Sequence, residues 1–280
     1  MTTAVMTDST AYIPAELIDQ YNIHVVPLSV VFGSTSYREG IDITTEEFYQ
    51  KVNEVNELPT TSQPSLGMLT AKLEALSHDY DAVISIHLSS GISGTYQAVA
   101  TAGESVDGID VYPYDSELSC MGQGFFVLEA AEMVQEEKAP EAIIERLNAV
   151  DQSIRAYFMV DDLSHLQRGG RLNGAQAILG SMLQVKPILH FVDKQIVPFE
   201  KIRTRKKALN RIMQMLRDDA AQGDELRVVF IHANNETGAA ELKTSFEADY
   251  PGTDTMISYF GPVIGTHLGE GALGVCWYKK

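Results

Sequence analysis

Residues 82–95 constrain the fold more than any other stretch of this chain. Ala82 to Ile86 is a short, mostly apolar run of the length expected for a buried strand. It leads into His87-Leu88-Ser89-Ser90-Gly91-Ile92-Ser93-Gly94-Thr95, a turn rich in hydroxyls and glycine, and a helix is predicted to begin near Gly94. The same strand–turn–helix rhythm fills the first half. Residues 3–6 read as a strand, Asp8-Ser9-Thr10 as a turn, and a helix follows from Pro14 with Leu17, Ile18 and Tyr21 on its apolar face. Residues 24–32 read as a second apolar strand, and Thr44 with Glu47 forms a capping-box pattern opening a helix over 46–53. Helices over 66–77 and 95–103 alternate with strands over 81–86 and 109–114, and two helices fill 122–151. Such alternation predicts an α/β fold with a largely parallel sheet flanked by helices.

The second half changes character. A strand is predicted over 154–160, then Ala175, Ile178, Leu179, Met182 and Leu183 make a helical stripe. Two strands over 185–192 and 195–202 meet near Asp193-Lys194. Thr204 precedes a helix with Leu209, Ile212, Met213 and Leu216 on one face, and strands over 226–233, 255–259 and 274–278 complete a second α/β unit. At 280 residues the chain exceeds one typical core. The expected division is 1–155 and 156–280, with no internal repeat and no low-complexity linker.

Several functions are excluded at once. A formal charge of −17 argues against nucleic acid, whose phosphates need clustered Lys and Arg. Thr7-Asp8-Ser9-Thr10 lacks the GxGxxG of a dinucleotide site, and no GKS or GKT marks a P-loop. The seven histidines never pair at ligand spacing, so no metal is expected. Cys120 and Cys276 form no CxxC and read as two buried thiols in a reducing compartment. Residues 1–6 lack a basic start followed by an apolar core, and no apolar run approaches the ~18 residues of a membrane span. A soluble cytoplasmic protein is the expectation.

What remains points to an anion. A hydroxyl- and glycine-rich turn at a helix start offers short donors beside the positive helix end. Thr60-Thr61-Ser62-Gln63-Pro64-Ser65 repeats the theme before the helix at Leu66, and Gly265-Thr266-His267-Leu268-Gly269 adds an imidazole in a glycine-rich setting. These segments suit holding a carboxylate better than cutting a bond. The competing reading is a serine esterase or thioesterase using Ser93 and His267. Gly91-Ile92-Ser93-Gly94-Thr95 approximates the GxSxG elbow but places threonine where its last glycine belongs.

Together these segments resemble the DegV family, which includes the fatty-acid-binding subunits of bacterial fatty acid kinase. The resemblance rests on Thr7-Asp8-Ser9-Thr10, residues 60–64, residues 87–96 and Asp115-Ser116. It continues through Gln167-Arg168-Gly169-Gly170-Arg171-Leu172, Lys186-Pro187-Ile188 and residues 265–269. It implies a DegV-like two-domain fold with a long-chain fatty acid between the domains and no other cofactor. Its carboxylate would be held by Thr61, Ser93 and His267, with Ser62 and the N–H of Gly94 as close neighbours and Arg171 beside the head group or meeting the kinase. It further implies that the chain performs no chemistry alone. It would present the carboxylate to a separate ATP-dependent kinase subunit and carry the acyl phosphate onward into phospholipid metabolism. Tail burial can supply the affinity, since about 0.8 kcal/mol per methylene gives a sixteen-carbon chain roughly 11 kcal/mol before ordering costs.

The chain departs from the family pattern at Glu270, which follows Gly269 where an uncharged residue is usual and is expected to face solvent. Cys120-Met121 occupies a region expected to border the tail, so chain-length preference cannot be carried over. The stripe from Ala175 to Leu183, with Gly174 before it and Gly180 within it, is a candidate lid. Lys201, Arg203, Arg205, Lys206 and Lys207 form a basic island in an acidic chain. Cations at a helix start oppose its dipole, so helix stability does not explain them. They are a candidate dock for a partner or, transiently, a membrane surface.

Overall fold

The computed structural model describes residues 2–55, 57–172 and 186–280. The elements run β1 (Thr3–Asp8), α1 (Ala15–Tyr21), β2 (His24–Val26), β3 (Ser29–Phe32), β4 (Thr35–Arg38), α2 (Thr45–Glu54) and β5 (Thr60–Ser62). Next come α3 (Leu66–Leu76), β6 (Ala82–His87), α4 (Thr95–Gly103), β7 (Asp110–Asp115), α5 (Cys120–Gln135) and α6 (Pro140–Ser153). They continue with β8 (Arg155–Met159), α7 (Ser164–Arg168), β9 (Ile188–Val192), β10 (Gln195–Glu200) and α8 (Arg205–Ala220). The chain closes with β11 (Leu226–His232), α9 (Glu236–Asp249), β12 (Asp254–Tyr259), α10 (Pro262–Leu268) and β13 (Leu273–Lys279).

Among the described residues, the first half builds a sheet in the order β2-β1-β6-β7 with every pairing parallel. β6 is buried along its whole length, as a strand covered on both faces must be. Its two polar side chains are satisfied internally. Ser85 Oγ lies 2.7 Å from His87 Nε2, and His87 Nδ1 lies 2.9 Å from Asp8 Oδ2. Asp8 also accepts from the Leu88 N–H and from the Gln123 amide. Burial alone would raise the Asp8 carboxyl, but the hydrogen bond and charge of His87, with Thr10 and Leu88, hold it below its ordinary value. The order Ser85–His87–Asp8 imitates a hydrolase triad, yet all three side chains are fully buried, so the network ties β1 to β6.

The second sheet has the order β10-β9-β8-β13-β11-β12, parallel between β11 and β12 and antiparallel elsewhere. A third, small antiparallel sheet runs β4-β3-β5. The single strand expected over residues 24–32 is therefore two strands in different sheets. Pro27 lacks an N–H for a ladder, and the Leu28 N–H turns aside to Ser9 Oγ at 3.1 Å. Residues 60–62 form β5, with Thr61 opposite Val30, rather than a simple lead-in to α3. Pro14 sits at the N-cap of α1 with extended backbone, one residue before its expected place inside the first turn. The Thr44–Glu47 capping box and the Thr204 cap of α8 form as expected.

One hydrophobic cluster crosses both halves, joining Val5 and Ile84 to Val229, Cys276 and Tyr278, with Phe125 and Phe126 of α5 between them. The β9–β10 turn reaches back across the same boundary. Asp193 and Lys194 both take positive φ, the geometry of a tight two-residue hairpin. The Lys194 carbonyl accepts from Ser89 Oγ at 2.6 Å, and Lys194 Nζ lies 3.0 Å from Asp115 and 3.3 Å from Glu117. The helix expected over 175–183, and with it the lid, lies outside the described residues.

Candidate functional site

The turn after β6 spends most of its backbone donors on itself. The Ser89 N–H bonds to the Leu118 carbonyl, while the Ile92 and Ser93 N–H groups bond to the Ser89 carbonyl. Gly91 donates to Ser89 Oγ and Ser90 donates to Asp115. Between residues 89 and 94, the Gly94 N–H is left without a partner among the described residues. Ser93 Oγ sits 2.9 Å from Thr95 Oγ1 and accepts from the Thr95 N–H at 3.3 Å. Of the short donors expected of this turn, the Gly94 N–H and the Ser93 hydroxyl are those that reach the cavity described below.

Two close approaches explain the glycines around it. A Cβ on Gly91 would lie 2.2 Å from the Lys194 carbonyl oxygen. A Cβ on Gly94 would lie 2.3 Å from Gln63 Oε1. The turn is thereby pressed between the β9–β10 hairpin and the segment after β5.

Thr61, Ser62, Ser93, Gly94, Arg171 and His267 line one cavity of about 290 Å³. That volume is at the small end of the range typical of ligand pockets. Behind this polar end the walls are apolar, with Leu28, Ile92, Phe158, Phe191, Ile196 and Val275 among them. Cys120 and Cys276 also line it, and burial first of all pushes both thiols well above their ordinary value. Met121 is fully buried in the surrounding core.

His267 comes from α10, an element absent from the sequence expectations, which gave residues 265–269 only as a glycine-rich setting for an imidazole. Its Nε2 lies 2.9 Å from Thr61 Oγ1, and its Nδ1 is buried without a hydrogen-bond partner among the described residues. Burial, then the charges of Arg171 and His165, push its pKa down to about 4, so the imidazole is neutral at physiological pH. Arg171 is half-buried and donates to the carbonyls of Ile92 (3.1 Å) and Gly169. Burial lowers its pKa, and no carboxylate lies within ion-pair distance of it among the described residues. A half-buried cation and an imidazole with one unpartnered nitrogen at the mouth of an apolar cavity leave room for one anion.

The geometry disfavours nucleophilic catalysis. Ser93 Oγ is paired with Thr95, His267 with Thr61, and no Ser93–His267 hydrogen bond occurs. An imidazole with a pKa near 4 and no carboxylate bonded to it among the described residues is a weak general base.

The family model described as "Uncharacterised protein, DegV family" matches residues 2–280. The chain belongs to the DegV family. It is 58% identical over 281 residues to Protein DegV of Bacillus subtilis (strain 168), covering 100% of both chains. The crystal structure of DegV from Bacillus subtilis, described as a fatty acid binding protein, matches with a TM-score of 0.96, 58% identity and 100% of each chain covered. A DegV family protein from Thermus thermophilus, described by its fatty acid binding, matches with a TM-score of 0.92 and 32% identity, covering 100% of each chain. A stearic-acid-binding protein from Eubacterium ventriosum matches with a TM-score of 0.89 and 25% identity, covering 99% of this chain and 98% of that one.

In this DegV chain the basic island divides. Arg205 is committed to the fold, donating to Asp161 at 2.7 Å and to the Gly271 carbonyl at 2.6 Å. Lys201, Arg203, Lys206 and Lys207 are exposed around the start of α8. Glu270 is exposed and accepts from Asn234 at 2.6 Å and Asn53 at 3.4 Å, away from His267. Two roles escaped the sequence reading. Gln63 closes over Gly94, and Gly169 makes room for the His267 ring, since a Cβ there would lie 2.2 Å from Nδ1. The run Gln167-Arg168-Gly169-Gly170 was visible, but only the fold shows which glycine faces the imidazole. Among the described residues no group of His, Cys, Asp and Glu could hold a metal, and no helix is long and apolar enough to cross a membrane.

Proposed function

We propose that this chain binds a long-chain fatty acid at the boundary between residues 1–155 and 156–280 and presents its carboxylate to a separate ATP-dependent kinase. The observation that carries the reading is the polarity of the cavity. One end gathers Thr61, Ser93, Arg171 and His267, and most of the remaining wall is apolar. The carboxylate lies among Thr61, Ser93 and His267, with Ser62 and the Gly94 N–H beside it. Neutral hydroxyls and a neutral imidazole satisfy such a group without locking both oxygens, which leaves one oxygen able to accept a phosphoryl group. Thr61, Arg171 and His267 also border an outer groove with His165 and Arg168, so the head group is within reach of a partner. The relatives described as fatty acid binding support the ligand class. Lys201, Arg203, Lys206 and Lys207 are the surface offered to the kinase or, transiently, to an anionic membrane.

Mass spectrometry of organic extracts from the denatured protein, set against a mock purification, tests the binding. A near-stoichiometric fatty acid is expected. An empty protein that also fails to take up added stearate overturns the proposal. The kinase step is tested separately: loaded protein, ATP and a fatty acid kinase catalytic subunit together yield acyl phosphate, and no pair of them does.

A further inference from the structure

The α10 helix that carries His267 has no side-chain cap of its own. Its start is held instead by Glu39, which comes from just after β4 and is 5% exposed. Glu39 Oε1 accepts from the Val263 N–H at 2.8 Å and from Tyr12 Oη at 2.8 Å, while Oε2 accepts from Ser9 Oγ at 2.5 Å. Tyr12 Oη in turn accepts from the Ile264 N–H at 3.2 Å. A second anchor, Tyr49, donates to the Phe260 carbonyl at 2.8 Å. From this clamp one short helix leads to His267, whose ring meets Thr61 at 2.9 Å. We propose that Glu39 is the positioning residue of the carboxylate site: by bridging Ser9, Tyr12 and the first turn of α10, it sets His267 against Thr61.

The same clamp makes the site sensitive to pH. Burial, opposed by the bonds from Ser9, Val263 and Tyr12, raises the Glu39 carboxyl to about 7, and the nearby Asp8 adds to the rise. The other titratable groups acting with Glu39 lie outside that region. Asp8 is held below its ordinary value, and Tyr12, Tyr49, Tyr259 and Cys120 are all pushed up, chiefly by burial. The neutral acid is the form the docked helix prefers, because a carboxyl freed into water would ionise nearer 4.5. The Glu39 contribution to docking of α10 is therefore complete below pH 4.5 and lost as pH rises through 7, whereas His267 on the same helix works the other way, its contribution being lost as pH falls from 6.5 towards 4.

Two readouts test this. Stearate affinity measured from pH 5.5 to 8.5 rests on the fatty-acid reading above. The NMR signal of the His267 imidazole in the ligand-free protein does not. Glu39→Ala is expected to shift that signal and to weaken stearate binding at least tenfold. Glu39→Gln, which keeps the shape but cannot ionise, is expected to retain the wild-type His267 signal at pH 6 and to flatten the pH profile of binding. If Glu39→Ala does not fold, the Gln variant decides alone. An unmoved His267 signal in Glu39→Ala, or an unchanged pH profile in Glu39→Gln, overturns the proposal. If stearate fails to bind while the His267 signal moves as expected, the ligand reading fails and the positioning role stands.

Discussion

Substituting Gly169 by alanine places one methyl group against the face of His267. The added Cβ would stand 2.2 Å from Nδ1, 2.9 Å from Cε1 and 3.2 Å from the His165 carbonyl oxygen, so the ring must withdraw. The backbone beneath it cannot follow easily. Val263 and Ile264 are held by Glu39 and Tyr12, and Gly265 packs against Phe48 and Tyr49. The ring must turn instead, giving up the 2.9 Å contact with Thr61. A neutral hydrogen bond is worth about 1 kcal/mol net, and overpacking adds about 1–3 kcal/mol. Part of that strain is relieved in the empty protein and must be restored on binding, so stearate affinity should fall roughly 10- to 100-fold, at about 1.4 kcal/mol per decade. Gly170 is the control. Its φ is +69° and nothing lies within 4 Å of the added methyl, so Gly170→Ala should cost about 1 kcal/mol of stability and leave affinity within about twofold. Isothermal titration with stearate and thermal melts of both variants separate the two effects. Equal losses of affinity at 169 and 170, or none at 169, would refute the reasoning.

Other consequences are equally direct. Ser93→Ala removes a cavity hydroxyl that also accepts from the Thr95 N–H, and it should weaken stearate binding by about 1–2 kcal/mol with the far-UV circular dichroism unchanged. Ala156 lines the apolar part of the cavity. Ala156→Leu should displace about three methylenes' worth of tail, costing the longest acyl chains about 2 kcal/mol and short ones far less, which a chain-length series by titration reads out. The His267 pKa near 4 means that the unfolded chain takes up a proton as pH falls below about 6.5 while the native one does not. That stability is present above 6.5 and lost towards pH 4, roughly 3 kcal/mol in all, and denaturant titrations of His267→Gln should lack this acid-side slope. Charge reversal at Lys206 and Lys207 should weaken kinase coupling or transfer to anionic vesicles and leave stearate affinity alone, whereas reversal at Arg205 should also lower the melting temperature, because Arg205 ties Asp161 to Gly271.

The parallel half of the fold was legible because β6 and its neighbours are short apolar runs between capped helices, a pattern local enough to read. The strand over residues 24–32 was less so. Pro27 removes one ladder donor, but that the chain changes sheets there also depends on where Ser9 stands. The α10 helix was hidden for a similar reason: Gly265 and Thr266 are poor helix formers in a segment of only seven residues, and its start is held by Glu39 and Tyr12 from the far end of the sequence. The hydroxyls of the site were visible from composition. The partners of Glu39, the role of Gly169 and the spending of the turn's amides on itself are tertiary facts.

The Asp193–Lys194 hairpin carries a consequence for how a tail enters and leaves. Its carbonyl takes the Ser89 hydroxyl, its ammonium sits between Asp115 and Glu117, and its backbone lies where Gly91 has no side chain. With Phe125 and Phe126 in a cluster that also contains Ile84 and Val229, the two halves are stitched rather than hinged. Parting them like a clam shell would break the very turn that bears Ser93. On the proposed fatty-acid reading, exchange proceeds by a local parting of the cavity wall while the stitch stays closed, so a covalent cross-link between residues 90 and 194 should leave the rate of fatty-acid exchange intact.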